Sequence, residues 1–229
     1  IENIIAPEIK NIDIENQELL DSRLIELDGT FLKEKLGANA ILGVSLAVAK
    51  ANALSQDIPL WELIANLGNT SSPGFPRLYM NFIEGGVHAG NKLEFQEYLV
   101  IPKTQDITEA LHIGCQLYHK LRDYLREHVS PASSNVGDEG GYAPELSDPL
   151  SPFEIITAVA KTEGLENQFD FGMDAAANNI KSSAEELHHI YQEMNEKYRL
   201  IYLEDPFGEE DFENFKKLRS AIGDNTVIA

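Results

Sequence analysis

Residues 169–205, FDFGMDAAANNIKSSAEELHHIYQEMNEKYRLIYLED, decide the fold. FDFGMDA and LIYLED are short apolar runs of strand type. Between them Ser183, followed three positions later by Glu186, forms the capping-box pattern that opens an amphipathic helix. A strand, a helix and a second strand imply a parallel pair joined by a right-handed crossover. Asp174 ends the first strand and Glu204 the second, 30 positions apart. A doubly wound sheet and a closed (β/α) barrel both accommodate such a unit. Acids at the C-terminal rim of successive strands are where barrel enzymes carry their chemistry.

The pattern extends in both directions. Downstream, EEDFENFKKLRSAIG reads as a helix, and NTVIA begins another strand. Upstream, RLYMNFIE and EYLVIP read as strands. Asp106 with Glu109 is a capping box for a helix through Leu111, Leu117, Leu121 and Leu125. Ser151-Pro152 with Glu154 is a second box, for a helix ended by Gly164. Strands alternating with amphipathic helices imply parallel βα units. GNTSSPGFP, residues 68–76, reads as a linker. The segment before it is helical, with Leu36, Ile41, Val44, Leu46, Val48 and Leu54 expected on a buried helix.

Bulk composition narrows the function classes. The 229 residues are 43% hydrophobic, enough for a substantial core, and carry 38 acids against 18 Lys and Arg, a net charge of −20. Such a field repels nucleic acid and anionic membrane surfaces. The single Cys115 leaves no intramolecular disulfide and fits a reducing compartment. No apolar run is expected to approach membrane-spanning length, and IENIIAPEIK lacks a signal pattern, so the reading is cytoplasmic.

The carboxylates carry the chemical signal. Glu97, at the start of EYLVIP, and Asp138-Glu139, in SSNVGDEGGYAP, join Asp174 and Glu204 if their loops fold over the same rim. Oxygen ligands without Cys or His clusters suit Mg2+. A third ligand is expected at the end of the strand begun by TVIA. In EGGVHAGNKLEFQEY, His88 rides among Gly85, Gly86 and Gly90, placed to touch a phosphate or move a proton. An ordinary surface histidine is the competing reading, as a capping acid is for each strand-end carboxylate. His188-His189 lacks metal-site spacing, and Cys115 reads as a core thiol. His112, His119 and His128 mark an outer helix face, while Tyr79, Phe82 and Trp61 read as core.

LGANAILGVSLAVAKA, GGVHAGN, FQEYLVIP, NVGDEGGYAPEL, FGMDAA and YLEDPFGEEDFENF resemble, in order and spacing, the motifs of enolases. The resemblance covers essentially the whole chain. It implies a partial (β/α)8 TIM-type barrel of the enolase kind over residues 73–229. The helical remainder of a small α+β N-terminal capping domain would occupy residues 1–72, and the first barrel connections would depart from strict βα alternation. It implies Mg2+-dependent, reversible dehydration of 2-phosphoglycerate to phosphoenolpyruvate in glycolysis, by a cytoplasmic homodimer or higher homo-oligomer. Asp174 and Glu204 are then Mg2+ ligands. Glu139, with Glu97, assists departure of the 3-hydroxyl, His88 lies near the substrate phosphate, and Gln96 lines the site. Asp138 belongs to loop structure.

The family's catalytic lysine, its second lysine, its phosphate-holding arginine and its third metal carboxylate have no counterpart in these residues. The resemblance therefore implies a chain truncated at both ends, its barrel stopped after about five of eight strands, with two unpaired edges and no activity alone. AAANNIKS after Asp174 is shorter than the family's usual loop, which affects closure. Two alternatives stand: a non-catalytic enolase-like interaction or scaffold protein, and a related sugar-acid dehydratase.

Overall fold

The computed structural model describes residues 1–229, the side chain of His88 excepted. The chain forms two compact units, Ile1–Gly74 and Phe75–Ala229.

The first unit is helical: α1 (Ile5–Ile9), α2 (Gln17–Asp28), α3 (Ala38–Ser55) and α4 (Leu60–Leu67). Asn16 caps α2 by accepting from Leu19 N. Each helix packs on the next, and Ile5, Leu20, Leu24 and Val44 form the main core. α3 is less buried than its sequence suggests, with Leu46 44% and Leu54 80% exposed. Its alanine-rich sequence is apolar all round, yet only Val44, Ala49, Asn52 and Ala53 are buried. Trp61 is likewise 60% exposed rather than core. With 18 residues and a mean hydropathy of 1.2, α3 is long and apolar enough to cross a membrane, where no such run was expected. Its alanines, which carry little side-chain bulk, raise the average to that level.

Asp28 organises the turn after α2. Its Oδ1 accepts from Thr30 N and from the Thr30 hydroxyl, and its Oδ2 accepts from Leu36 N at 2.7 Å. Burial acts to raise this carboxyl, but the bonds from Thr30 and Leu36 hold it below its ordinary value. A depressed carboxyl contributes stability above its unfolded pKa of about 3.9, and that stability is lost as pH falls through the folded value. Thermal unfolding followed from pH 7 downward should show this acid loss in the wild type and a flatter profile in Asp28→Asn.

The second unit holds β1 (Met80–Glu84), β2 (Glu97–Pro102), α5 (Ile107–His128), α6 (Ser151–Glu163), β3 (Phe169–Asp174), α7 (Ala184–Tyr198), β4 (Leu200–Glu204), α8 (Phe212–Ile222) and β5 (Val227–Ile228). One open sheet runs in the order β1-β2-β3-β4-β5. The β3–β4 and β4–β5 pairs are parallel, as α7 and α8 connections predict. β2 is antiparallel to both β1 and β3, so strict parallel βα units do not describe the first strands. The reason is the number of helices in each connection. A single helix returns the chain to the opposite end of the sheet, whereas α5 and α6 together return it to the end that β2 left. Pro102 consequently pairs with Phe169, and β3 runs back against β2.

The Ser183–Glu186 capping box forms as expected. Asp106 caps α5 through Thr108 N and Glu109 N, but the Glu109 carboxylate accepts from the Thr104 hydroxyl instead of closing the box. Ser151 lies inside α6, behind an N-cap at Leu150 that makes no side-chain bond, so the second box is absent. Leu117, Leu121 and Leu125 of α5 and Phe153 of α6 are fully buried against sheet residues including Val100, Met173 and Leu203. Phe82 joins them, but Tyr79 is 45% exposed and meets Tyr202 edge-on, and Leu111 is 47% exposed. Cys115 is exposed on α5 with His112 and His119, so it is not a core thiol.

Candidate functional site

Pairing across the sheet brings the strand-end acids into one row. Glu84 of β1 pairs with Glu97 of β2, Glu97 with Asp174 of β3, and Asp174 with Glu204 of β4. Directly opposed residues project on the same face of a sheet. Glu97 belongs to this row because β2 runs antiparallel, which places its first residue beside the last residues of its neighbours. Glu97, Asp174 and Glu204 are half-buried, whereas Glu84 is fully buried.

Of the predicted residues, Gln96 and Glu139 join Glu97, Asp174 and Glu204 at this rim. The Glu139 carboxyl hydrogen-bonds the Glu97 carboxyl. Gln96 Nε2 donates to Asp174 Oδ2 at 3.1 Å, while Ala176 N donates to Asp174 Oδ1 at 2.9 Å. Tyr202 donates its hydroxyl proton to Glu204 Oε2 at 2.9 Å. Asp138 is exposed on the loop beside Glu139. His88 lies in the short 3-10 turn Gly86–His88, and its side chain is outside the described residues.

The electrostatics are those of crowded acids. Burial, then the Glu139 hydrogen bond, then the charges of Glu139, Asp174 and Glu204 push Glu97 up to about 8. Burial raises Asp174 to about 6 against the opposing bond from Ala176 N, with Glu204, Asp205 and Glu139 adding to the rise. Pushed up to about 8, the Glu97 carboxyl keeps its proton near neutral pH and can donate it to a Glu139 oxygen. Hard oxygen donors held together against mutual repulsion suit a divalent cation such as Mg2+. Among the described residues no group of three or more His, Cys, Asp and Glu side chains is gathered to hold an ion. Mg2+ needs only one or two carboxylates when water and substrate complete its shell. Asp174 and Glu204 fit that requirement.

Two loops build the remainder of the rim. In residues 85–96, Gly85 N donates to Gln96 O and Gly86 N to Leu93 O. Asn91 Nδ2 donates to Glu84 O at 2.8 Å, tying this loop to the end of β1. In the acidic loop, Gly140 has φ +84°. Gly141 lies so close to β1 that an added Cβ would meet Glu84 Cγ at 2.4 Å. The Glu84 carboxyl accepts from Glu139 N and Gly141 N. Glu84, Asn91 and Tyr202 were not among the residues singled out from sequence. Glu84 carried the same signal as Asp174 and Glu204, an acid ending a strand.

Gly140→Ala should cost about 1–2 kcal/mol, because an L side chain disfavours left-handed backbone. Urea unfolding would measure this; an unchanged midpoint would mean that the loop adopts another conformation.

The family model described as enolase, C-terminal TIM barrel domain, matches residues 74–186 and 177–229, and the enolase N-terminal domain model matches residues 1–64. An enolase of Methanopyrus kandleri is 40% identical over 244 residues, covering 100% of this chain and 56% of the relative. Enolase B of Dictyostelium discoideum is 37% identical, covering 100% of this chain and 57% of the relative. An enolase of Methanocaldococcus jannaschii is 41% identical, covering 97% of this chain and 55% of the relative. The chain therefore spans about half the length of the curated relatives it matches.

Proposed function

The chain belongs to the enolase family, and from that premise we propose that its protein catalyses the Mg2+-dependent, reversible dehydration of 2-phosphoglycerate to phosphoenolpyruvate. The supporting observation is the cross-strand row of Glu97, Asp174 and Glu204, with Glu139 bonded to Glu97. We take the working form to be a cytoplasmic homodimer or larger homo-oligomer.

Asp174 and Glu204 would hold Mg2+, which when bound supplies positive charge where the substrate carboxylate gains charge. Gln96 fixes one oxygen of Asp174 and leaves its carboxylate with one orientation. The Glu97–Glu139 pair supplies the proton for the departing hydroxyl. A general base, which the family resemblance assigns to a lysine outside these residues, takes the C2 proton; the electron pair left there forms the C2–C3 double bond as the C3–O bond breaks. The oxygen takes a proton from the Glu97–Glu139 pair and departs as water. In the hydration direction the same pair accepts a proton from the attacking water, as microscopic reversibility requires. His88 is assigned to the substrate phosphate on the family resemblance.

The natural full-length protein should convert 2-phosphoglycerate to phosphoenolpyruvate, followed by the absorbance of the new double bond, and a chelator should stop it until Mg2+ is restored. Glu139→Gln should lower kcat by about 10²–10⁴, the usual range for loss of a general acid. Turnover that ignores the chelator, or no turnover of 2-phosphoglycerate, would contradict the reading.

A further inference from the structure

We propose that Glu84 is a positioning residue, a buried carboxyl that holds the acidic loop by its backbone and thereby sets Glu139 against Glu97. The inference rests on the proposed dehydratase reading for its catalytic consequence, but its structural part stands alone.

Glu84 is fully buried at the end of β1. A polar group is retained in such a place only with partners, and the acidic loop supplies them. Glu84 Oε1 accepts from Gly141 N at 2.7 Å and from Glu139 N at 3.0 Å, and Oε2 lies 3.4 Å from Glu139 N. Backbone pairing continues the attachment, since Glu84 N donates to Tyr142 O and Tyr142 N donates to Phe82 O. The loop is therefore bonded to β1 on both sides of Gly140. Its glycines permit the approach: any side chain at position 141 would strike Glu84 Cγ.

Glu84 and Glu97 are cross-strand partners on β1 and β2. The same strand pair thus anchors both ends of one chain of bonds, from the Glu84 carboxyl to the Glu139 backbone, and from the Glu139 carboxyl to Glu97. An exposed glutamate in a glycine-rich loop would otherwise sample many positions. A proton donor must lie within hydrogen-bond reach of the departing oxygen, and a small displacement is costly in rate. Glu84 removes that freedom without touching substrate.

The test compares Glu84→Met and Glu84→Gln in the natural full-length protein by backbone amide exchange and by steady-state kinetics with 2-phosphoglycerate. Glu84→Met keeps the bulk and removes both acceptors. Exchange at Glu139 and Gly141 should quicken about tenfold or more, as expected for loss of a buried acceptor. The same variant should lose about tenfold or more in kcat with KM within about twofold, the split expected when a transition-state contact is lost. Glu84→Gln, whose amide oxygen can take the place of Oε1, should restore most of the protection at Gly141 and most of kcat. If Glu84→Met fails to fold, Gly141→Ala displaces the Glu84 side chain instead and should quicken the same two amides. Unchanged exchange in the folded variants, or quickened exchange with unchanged kcat, overturns the proposal. If the wild type has no turnover, the functional reading fails, and the amides still decide whether Glu84 holds the loop.

Discussion

β2 runs against both of its neighbours, and the chemistry proposed for this chain depends on that direction. Were it parallel, Glu97 would stand at the far end of the sheet, a strand length of roughly 17 Å from Asp174. The antiparallel register puts Glu97 directly between Glu84 and Asp174. Two helices in the β2–β3 connection, rather than one, enforce it. From this follow the row of acids, the place of Gln96 beside Asp174, and the position of the loop that brings Glu139 over the row.

Gathering acids in this way is unfavourable in a metal-free protein. Burial removes water from Glu97 and Asp174, and every charged neighbour acting to raise them is itself acidic. The structure answers with separate devices. Glu97 is hydrogen-bonded with Glu139, Asp174 takes bonds from Gln96 and Ala176, and Glu204 takes one from Tyr202. Each orients an oxygen and leaves capacity for another partner. The left-handed backbone at Ala176 (φ +46°) and Asp205 (φ +43°), just past the rim acids, is local strain of the kind that collects at functional sites.

Much of this was legible in the sequence, for physical reasons that differ from element to element. EYLVIP forms β2 with the expected bounds because a continuous apolar run suits a strand buried on both faces. Ser183 and Glu186 form their box because capping is local. Asp174 and Glu204 end their strands as read, and the enolase motifs identified the family and its TIM-type barrel. The direction of β2 was missed by the expectation of strict parallel βα units, although the two helices read between EYLVIP and FDFGMDA, and the first connections implied by the enolase resemblance, both pointed to it. The burial of Glu84 was not legible, since it depends on a loop more than fifty residues away returning to donate two N–H groups. Cys115 and Trp61 were misplaced because residue type indicates a preference for the interior, while the face of the helix decides.

One rim of the sheet is proposed to hold a divalent cation, at Asp174 and Glu204. Substoichiometric Mn2+ added to the isotopically labelled full-length protein would test it directly, through paramagnetic broadening of backbone amides. The strongest broadening is expected at Gln96, Glu97, Ala175 and Asp205, with Phe169 and Leu200 at the opposite end of their strands least affected. Broadening centred instead on the acidic turn at Glu209–Asp211, or rim amides left sharp, would contradict it.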